Sequence, residues 1–203
     1  MRILTMAINL KKGQSIILDK SEYDLSKMVM GLGWDVSKKG LFGGIFSGSA
    51  DFDLDGFALL LDERGKLKNQ QEDVIYFGHL ATKNNTVVHS GDNLTGEGSG
   101  DDERIIIDFK TLPQTYHQII LGVNIYHAED RQQNFEMVKN AFVRAIDAKG
   151  KEIARYSLSG EPAYSGQTSM LLGELSHENG QWKFKALGTP LKSNLNGVIR
   201  SFV

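Results

Sequence analysis

Along most of the chain, apolar side chains recur at every second position in short runs, the period of a strand with one face toward a core. The clearest run is Gln118 to Tyr126, where Ile119, Leu121, Val123 and Ile125 alternate with polar or small neighbours. Shorter apolar runs that also read as strands are Ile8 to Leu10, Ser15 to Leu18, Met28 to Trp34, Gly56 to Leu61, Val74 to Phe77, Val87 to His89 and Arg104 to Phe109. The first two, separated by Lys11-Lys12-Gly13, predict a bulged or hairpin-linked pair. Residues 135 to 146 also fit a helical stripe through Phe135, Val138, Phe142 and Ile146. Their ending at Ala148-Lys149-Gly150 before Glu152 to Leu158 favours a hairpin instead. Asn179-Gly180 between Ser169–Ser176 and Gln181–Leu187 is a strong two-residue hairpin signal, and Val198 to Val203 is expected to be a closing strand. Evenly spaced short strands with few helical turns predict an all-β, two-sheet β-sandwich, residues 1–203 forming one domain.

Composition narrows the chemistry. The chain has 203 residues, 22 of them Gly, 3 Pro and no Cys. Disulfides, thiolate metal sites and a cysteine nucleophile are therefore excluded, and a reducing, cytoplasmic setting is expected. Arg2 and the apolar run to Leu10 are followed by Lys11-Lys12 without a small-residue cleavage site and read as a strand, not a leader. No stretch approaches the roughly 20 apolar residues of a membrane span, so no direct membrane insertion is expected. Residues 40–50 carry Leu41, Phe42, Ile45 and Phe46 among glycines. They read as a lid on the core in preference to an exposed contact, and lack the Gly-Lys-Ser/Thr ending of a phosphate loop.

Charge is uneven. Eight of the 25 acids fall in the segments 51–55 and 92–103, leaving 17 acids against 23 bases elsewhere. The acidity is local, and the scattered bases form no block that would suggest nucleic acid. Two carboxylates about 4 Å apart repel by roughly 4 kcal/mol at an effective dielectric near 20, so Gly91 to Glu103, with five carboxylates and Asn93, calls for a cation. Strand alternation places Asp51, Asp53 and Asp55 on one face, with Phe52 and Leu54 on the other. Asp35, directly after Trp34, is aimed by its strand end toward the same kind of loop.

An all-oxygen donor set suits calcium, which takes six to eight oxygens in loose geometry. Magnesium needs fewer, and zinc or copper would want clustered His or Cys. Asp92 and Glu103 have the outer spacing of an EF-hand, but Leu94 and Gly96 occupy ligand positions and the flanks are strands. His89, Ser90 and Asp92 are too close along a strand to form a nucleophilic triad. A metal-dependent phosphohydrolase and a calcium-dependent carbohydrate-binding sandwich remain alternatives, the first without an obvious general acid, the second without clear aromatic platforms.

Gly-Leu-Gly-Trp-Asp (31–35), Asp-Leu-Asp (53–55), the long acidic motif 89–103 and Gln-Asn-Phe (133–135) resemble the TerD family of bacterial tellurite-resistance and stress proteins. The resemblance runs from about Leu10 to the C-terminus. It implies a β-sandwich binding two neighbouring Ca2+ ions through loops at one end, and a non-enzymatic role in resistance to tellurite, phage or other stress. The ligands it implies are Asp35, Asp53, Asp55, Asp92, Asn93, the carbonyl of Leu94, Glu97, Asp101, Asp102 and Glu103. It implies protein partners in a stress-response complex, with a TerC-like membrane protein and a TerB-like protein as candidates. The expected location is the cytoplasm, with a peripheral position at the inner face of the membrane through such a partner. Gly56-Phe57 departs from the small pair usual after Asp-Leu-Asp, a change expected to alter packing but not the carboxylates.

Overall fold

A computed structural model describes residues 7–35, 53–91, 100–158 and 162–203. Two six-stranded sheets face each other. Sheet A contains β1 (Ile8–Leu10), β3 (Met28–Asp35), β6 (Val87–His89), β7 (Glu103–Ile107), β9 (Lys139–Ile146) and β10 (Glu152–Leu158), in the order β1-β10-β9-β3-β7-β6. Sheet B contains β2 (Ser15–Leu18), β4 (Leu54–Leu61), β5 (Val74–Ile75), β8 (Gln118–Ile125), β11 (Ser169–Glu178) and β12 (Gln181–Leu191), in the order β2-β12-β11-β8-β4-β5. The two-sheet architecture expected from the alternation is present.

The core lies between the sheets. From sheet A it receives Met28, Met30, Leu32 and Trp34, and from sheet B Leu54, Ala58, Ile119, Leu121 and Val123, all buried. Sheet B is also covered on its other face, where Phe57, Leu59, Leu61, Ile120 and Leu171 meet Val198 and the partly buried Leu195, Ile199 and Phe202. Two covered faces explain why Phe57 to Leu61 is a continuous apolar run without alternation. Phe57 fits because residue 122 is glycine: a Cβ there would lie 2.3 Å from the Phe57 ring and 2.8 Å from the Met170 carbonyl oxygen.

Three expectations require correction. The segment 198–203 is not a strand, since Leu195–Arg200 forms α2, capped by the Asn194 side chain accepting from the Gly197 N–H. Its apolar residues at 195, 198 and 199 follow the helical period and, with Phe202 just beyond it, cover sheet B. β1 and β2 do not pair with each other. β1 runs parallel to β10 in sheet A, and β2 antiparallel to β12 in sheet B, the chain crossing over where the Gly13 N–H meets the Ala186 carbonyl. The stretch 74–77 is a strand only through Ile75 and is preceded by the turn of helix α1 (Gln70–Asp73). The β9–β10 hairpin and the Asn179-Gly180 turn, both residues with positive φ, are as expected. Among the described residues no helix is long and apolar enough to cross a membrane.

Candidate metal centre

At one end of the sandwich β3 ends at Asp35, β4 begins at Leu54, β6 ends at His89 and β7 begins at Glu103. Antiparallel pairing of β3 with β7, and of β6 with β7, puts the sheet A ends together. Glu103 joins them to sheet B. It is fully buried, and its Oε2 accepts from the Gly56 N–H of β4 at 2.6 Å and lies 3.2 Å from His89 Nε2. His89 Nδ1 accepts from the Gly91 N–H at 3.1 Å, so in the neutral ring Nε2 carries the proton and donates to Glu103. Gly56 leaves the space for this: a Cβ there would meet Glu103 Oε2 and Leu32 Cδ1, each at 2.5 Å.

The two preceding acids take other directions. Asp102 prolongs the edge of β3, its N–H donating to the Leu32 carbonyl and its Oδ2 accepting from the Trp34 N–H, both at 2.8 Å. Asp101 lies on the outer face of sheet A, over Gly31, where a Cβ would be 2.2 Å from its carboxylate. Arg144 Nε donates to it at 2.6 Å and Arg104 Nε at 3.1 Å. The bond to Asp101 raises the Arg144 guanidinium above its ordinary pKa, with a smaller contribution from Glu152. Two guanidinium groups thus supply counter-charge to Asp101.

Asp53 and Asp55 enter from sheet B. Asp53 lies just before β4, with its carbonyl accepting from the Tyr126 N–H at 2.8 Å and its carboxylate 3.8 Å from Arg131. Asp55, buried and opposite Asn124, belongs to the strand face that carries Phe57 and Leu59, and it opens into a cavity beneath α2. It therefore points away from the inter-sheet side that holds Leu54. Asp35 is in β3 opposite Lys139. Asp51, Asp92, Asn93, Leu94 and Glu97 lie outside the described residues, as does the 40–50 segment.

The structure thus gathers Asp35, Asp53, Asp102 and Glu103 at one end and turns Asp55 and Asp101 to the outer faces of the two sheets. Among the described residues no three His, Asp or Glu side chains converge on one point. Their donors are all oxygen, the donor type that a hard cation takes. The sequence does not single out the arginines, and it offers His89 only for a triad that strand geometry excludes. Arg144 is 43 positions from Asp101, and only strand pairing brings them together.

Comparison with known proteins gives a consistent picture. The TerD domain family model matches residues 6–202. The chain is 43% identical over 203 residues to "Tellurium resistance protein TerX" of Serratia marcescens, covering 93% of this chain and 95% of that one. It is 42% identical over 198 residues to "General stress protein 16U" of Bacillus subtilis (strain 168), covering 97% of each. Among solved structures, a homologue of telluride resistance protein (TerD) from Streptomyces coelicolor A3(2) superposes with a TM-score of 0.64 at 20% identity, covering 86% of this chain and 95% of that one. The last likeness concerns the fold.

Proposed function

The chain belongs to the TerD domain family, and on that premise we propose that it is a non-enzymatic, calcium-binding protein of tellurium resistance and general stress response. Asp53, Asp102 and Asp35, with Asp92, Asn93, the Leu94 carbonyl and Glu97, would hold two Ca2+ ions at the end of the sandwich. Bound calcium supplies fixed positive charge that orders the acidic loop. One observation supports this reading above the others: strand ends from both sheets meet where the acidic motif re-enters the fold, and Glu103 of that motif bonds across to Gly56. Ordering of the loop is thereby communicated to both sheets, giving a calcium-dependent surface for protein partners in the cytoplasm. Membrane-bound candidates such as a TerC-like protein would recruit it peripherally. With no cysteine, the chain has no thiol with which to reduce tellurite, so its part in resistance is indirect.

Thermal melting with calcium, magnesium or chelator tests the proposal. At about 100 times its dissociation constant a ligand stabilises the fold by roughly 2.7 kcal/mol. That is on the order of 5–10 °C in Tm for a chain of this length. Identical curves in calcium and in chelator would refute it. Asp102→Asn and Asp53→Asn should each weaken calcium binding in a calorimetric titration. A calcium-dependent pull-down from stressed cells would then identify the partner.

A further inference from the structure

Asp53 faces a guanidinium that the fold delivers from a separate element. Arg131 lies in the turn 126–132 after β8, where its N–H donates to the His127 carbonyl at 3.0 Å. Two residues of this turn, His127 (φ 51°) and Gln132 (φ 52°), adopt the left-handed backbone that residues other than glycine seldom take. His127 Nδ1 bonds the Asp130 carboxylate at 2.7 Å, so the turn closes on its own acid. Arg131 points back toward β8: its guanidinium lies 5.8 Å from the centroid of the Tyr126 ring and 3.8 Å from the Asp53 carboxylate. That ring is held in edge-to-face contact with Phe77 at 5.9 Å and His127 at 4.2 Å between centroids. The Tyr126 N–H donates to the Asp53 carbonyl at 2.8 Å, so ring, carboxylate and strained turn form one unit around the guanidinium.

At 3.8 Å the two groups form an ion pair without a hydrogen bond, and the Arg131 side chain is 34% exposed against 12% for Asp53. Such a contact neutralises the acid yet is readily exchanged. Arg131 offers Asp53 one delocalised charge at that distance, whereas calcium carries two charges and takes its oxygens at roughly 2.3–2.6 Å. A sodium or potassium ion brings no more charge than Arg131 already supplies. We infer, resting on the calcium reading, that Arg131 is a built-in counter-ion of Asp53 that yields to calcium and keeps monovalent cations out. It thereby sets the calcium concentration at which the site fills. The Tyr126 ring gives the displaced guanidinium a place to remain, because attraction to its face persists. Arg144 and Arg104 differ in kind: they hydrogen-bond Asp101 at 2.6 and 3.1 Å, and that carboxylate is wholly enclosed, which makes them an anchor and not a gate.

The test is calorimetric titration of the metal-stripped full chain with calcium at physiological salt, wild type against Arg131→Met. If the Arg131-paired arrangement holds about 70–90% of metal-free molecules, its loss raises apparent calcium affinity by about three- to tenfold. Arg131→Lys keeps the charge without the planar stack and should fall between the two. Exchanging choline chloride for potassium chloride at constant ionic strength should weaken calcium binding in Arg131→Met and leave wild type unchanged. In chelator the Tm of Arg131→Met should fall by no more than about 3 °C, since a partly exposed ion pair contributes little, and the rise in Tm with calcium should exceed that of wild type. A merely structural arginine would lower Tm equally with and without calcium and leave affinity unmoved. Unchanged or weakened calcium binding in Arg131→Met, or equal potassium sensitivity in the two chains, would overturn the inference while leaving the calcium reading intact. Silence of the wild type toward calcium would remove both.

Discussion

Replacing Glu103 by Ala separates a structural role of this carboxylate from a metal-binding one. The wild-type side chain is fully buried and accepts from the Gly56 N–H at 2.6 Å and from His89 at 3.2 Å. Hydrogen bonds to a charged group contribute roughly 1.5–3 kcal/mol, and a buried donor left without its acceptor costs about 1–3 kcal/mol. These contributions overlap, so Glu103→Ala should lose on the order of 3–5 kcal/mol, a large share of the roughly 5–15 kcal/mol that hold a domain together. Glu103→Gln keeps an oxygen for Gly56 and should lose about half as much. Urea unfolding in chelator, followed by fluorescence of the buried Trp34 and Trp182, measures this without any contribution from calcium. If Glu103→Ala falls within about 1 kcal/mol of wild type in chelator and loses only the calcium-dependent increment, Glu103 is a ligand and not a clamp between the sheets.

Three further outcomes follow from the packing and the ion pairs. Gly122→Ala should cost about 1–3 kcal/mol in the same assay, because its Cβ would strike the Phe57 ring and the Met170 carbonyl; a neutral result would mean that Phe57 moves freely. Tyr116→Phe removes the 2.6 Å hydrogen bond to Asp73 and should cost about 1–2 kcal/mol. Burial, then that bond, pushes the Tyr116 hydroxyl pKa up, so its phenolate absorbance should appear only at higher pH than that of an ordinary tyrosine. Glu152 is held below the ordinary carboxylate value of 4.5, first by its bond to Arg155 and then by Arg144. Its folded-state pKa is depressed, so this stabilisation is present above pH 4.5 and is lost as pH falls through the folded value. Arg155→Met should therefore flatten stability against pH on the acid side of 4.5, and an unchanged slope would dissociate the pair from stability.

What could be read from the sequence depended on how local the cause was. The period-two pattern of β8 and the Asn179-Gly180 turn are decided within a few residues, and both were legible. α2 was not: its six residues include Gly197, and its helical face is defined only by the outer surface of sheet B that it covers. The crossing from β1 to β2 was hidden for a similar reason, since Lys11 to Gly13 is compatible with a hairpin until β10 and β12 provide partners in different sheets. In the candidate site, the accumulation of acids and their shared end of the sandwich followed from residue type and strand ends. Their division among partners did not, because Arg144 and Gly56 reach Asp101 and Glu103 only through the packed sheets.

That division assigns different work to the two halves of the acidic motif. Asp101, Asp102 and Glu103 are consecutive, yet they are fastened to the outer face of sheet A, to the edge of β3 and to sheet B, respectively. At the other end of the loop, Gly91 is tied through its N–H to His89, which itself bonds Glu103. Gly91 and Glu103, which bound the acidic motif, are therefore held by anchors that share one buried pair. Substituting an anchor and substituting a loop acid should then give different signatures. Asp101→Asn leaves a shape able to accept one guanidinium bond but removes the charge that faces Arg144 and Arg104, and should lower stability in chelator by about 1–3 kcal/mol. Asp92→Asn and Glu97→Gln should leave stability in chelator unchanged and diminish only the increment that calcium adds. If Asp101→Asn instead behaves like the loop substitutions, Asp101 exchanges its arginines for the ion, and the anchor reaches no further than Asp102 and Glu103.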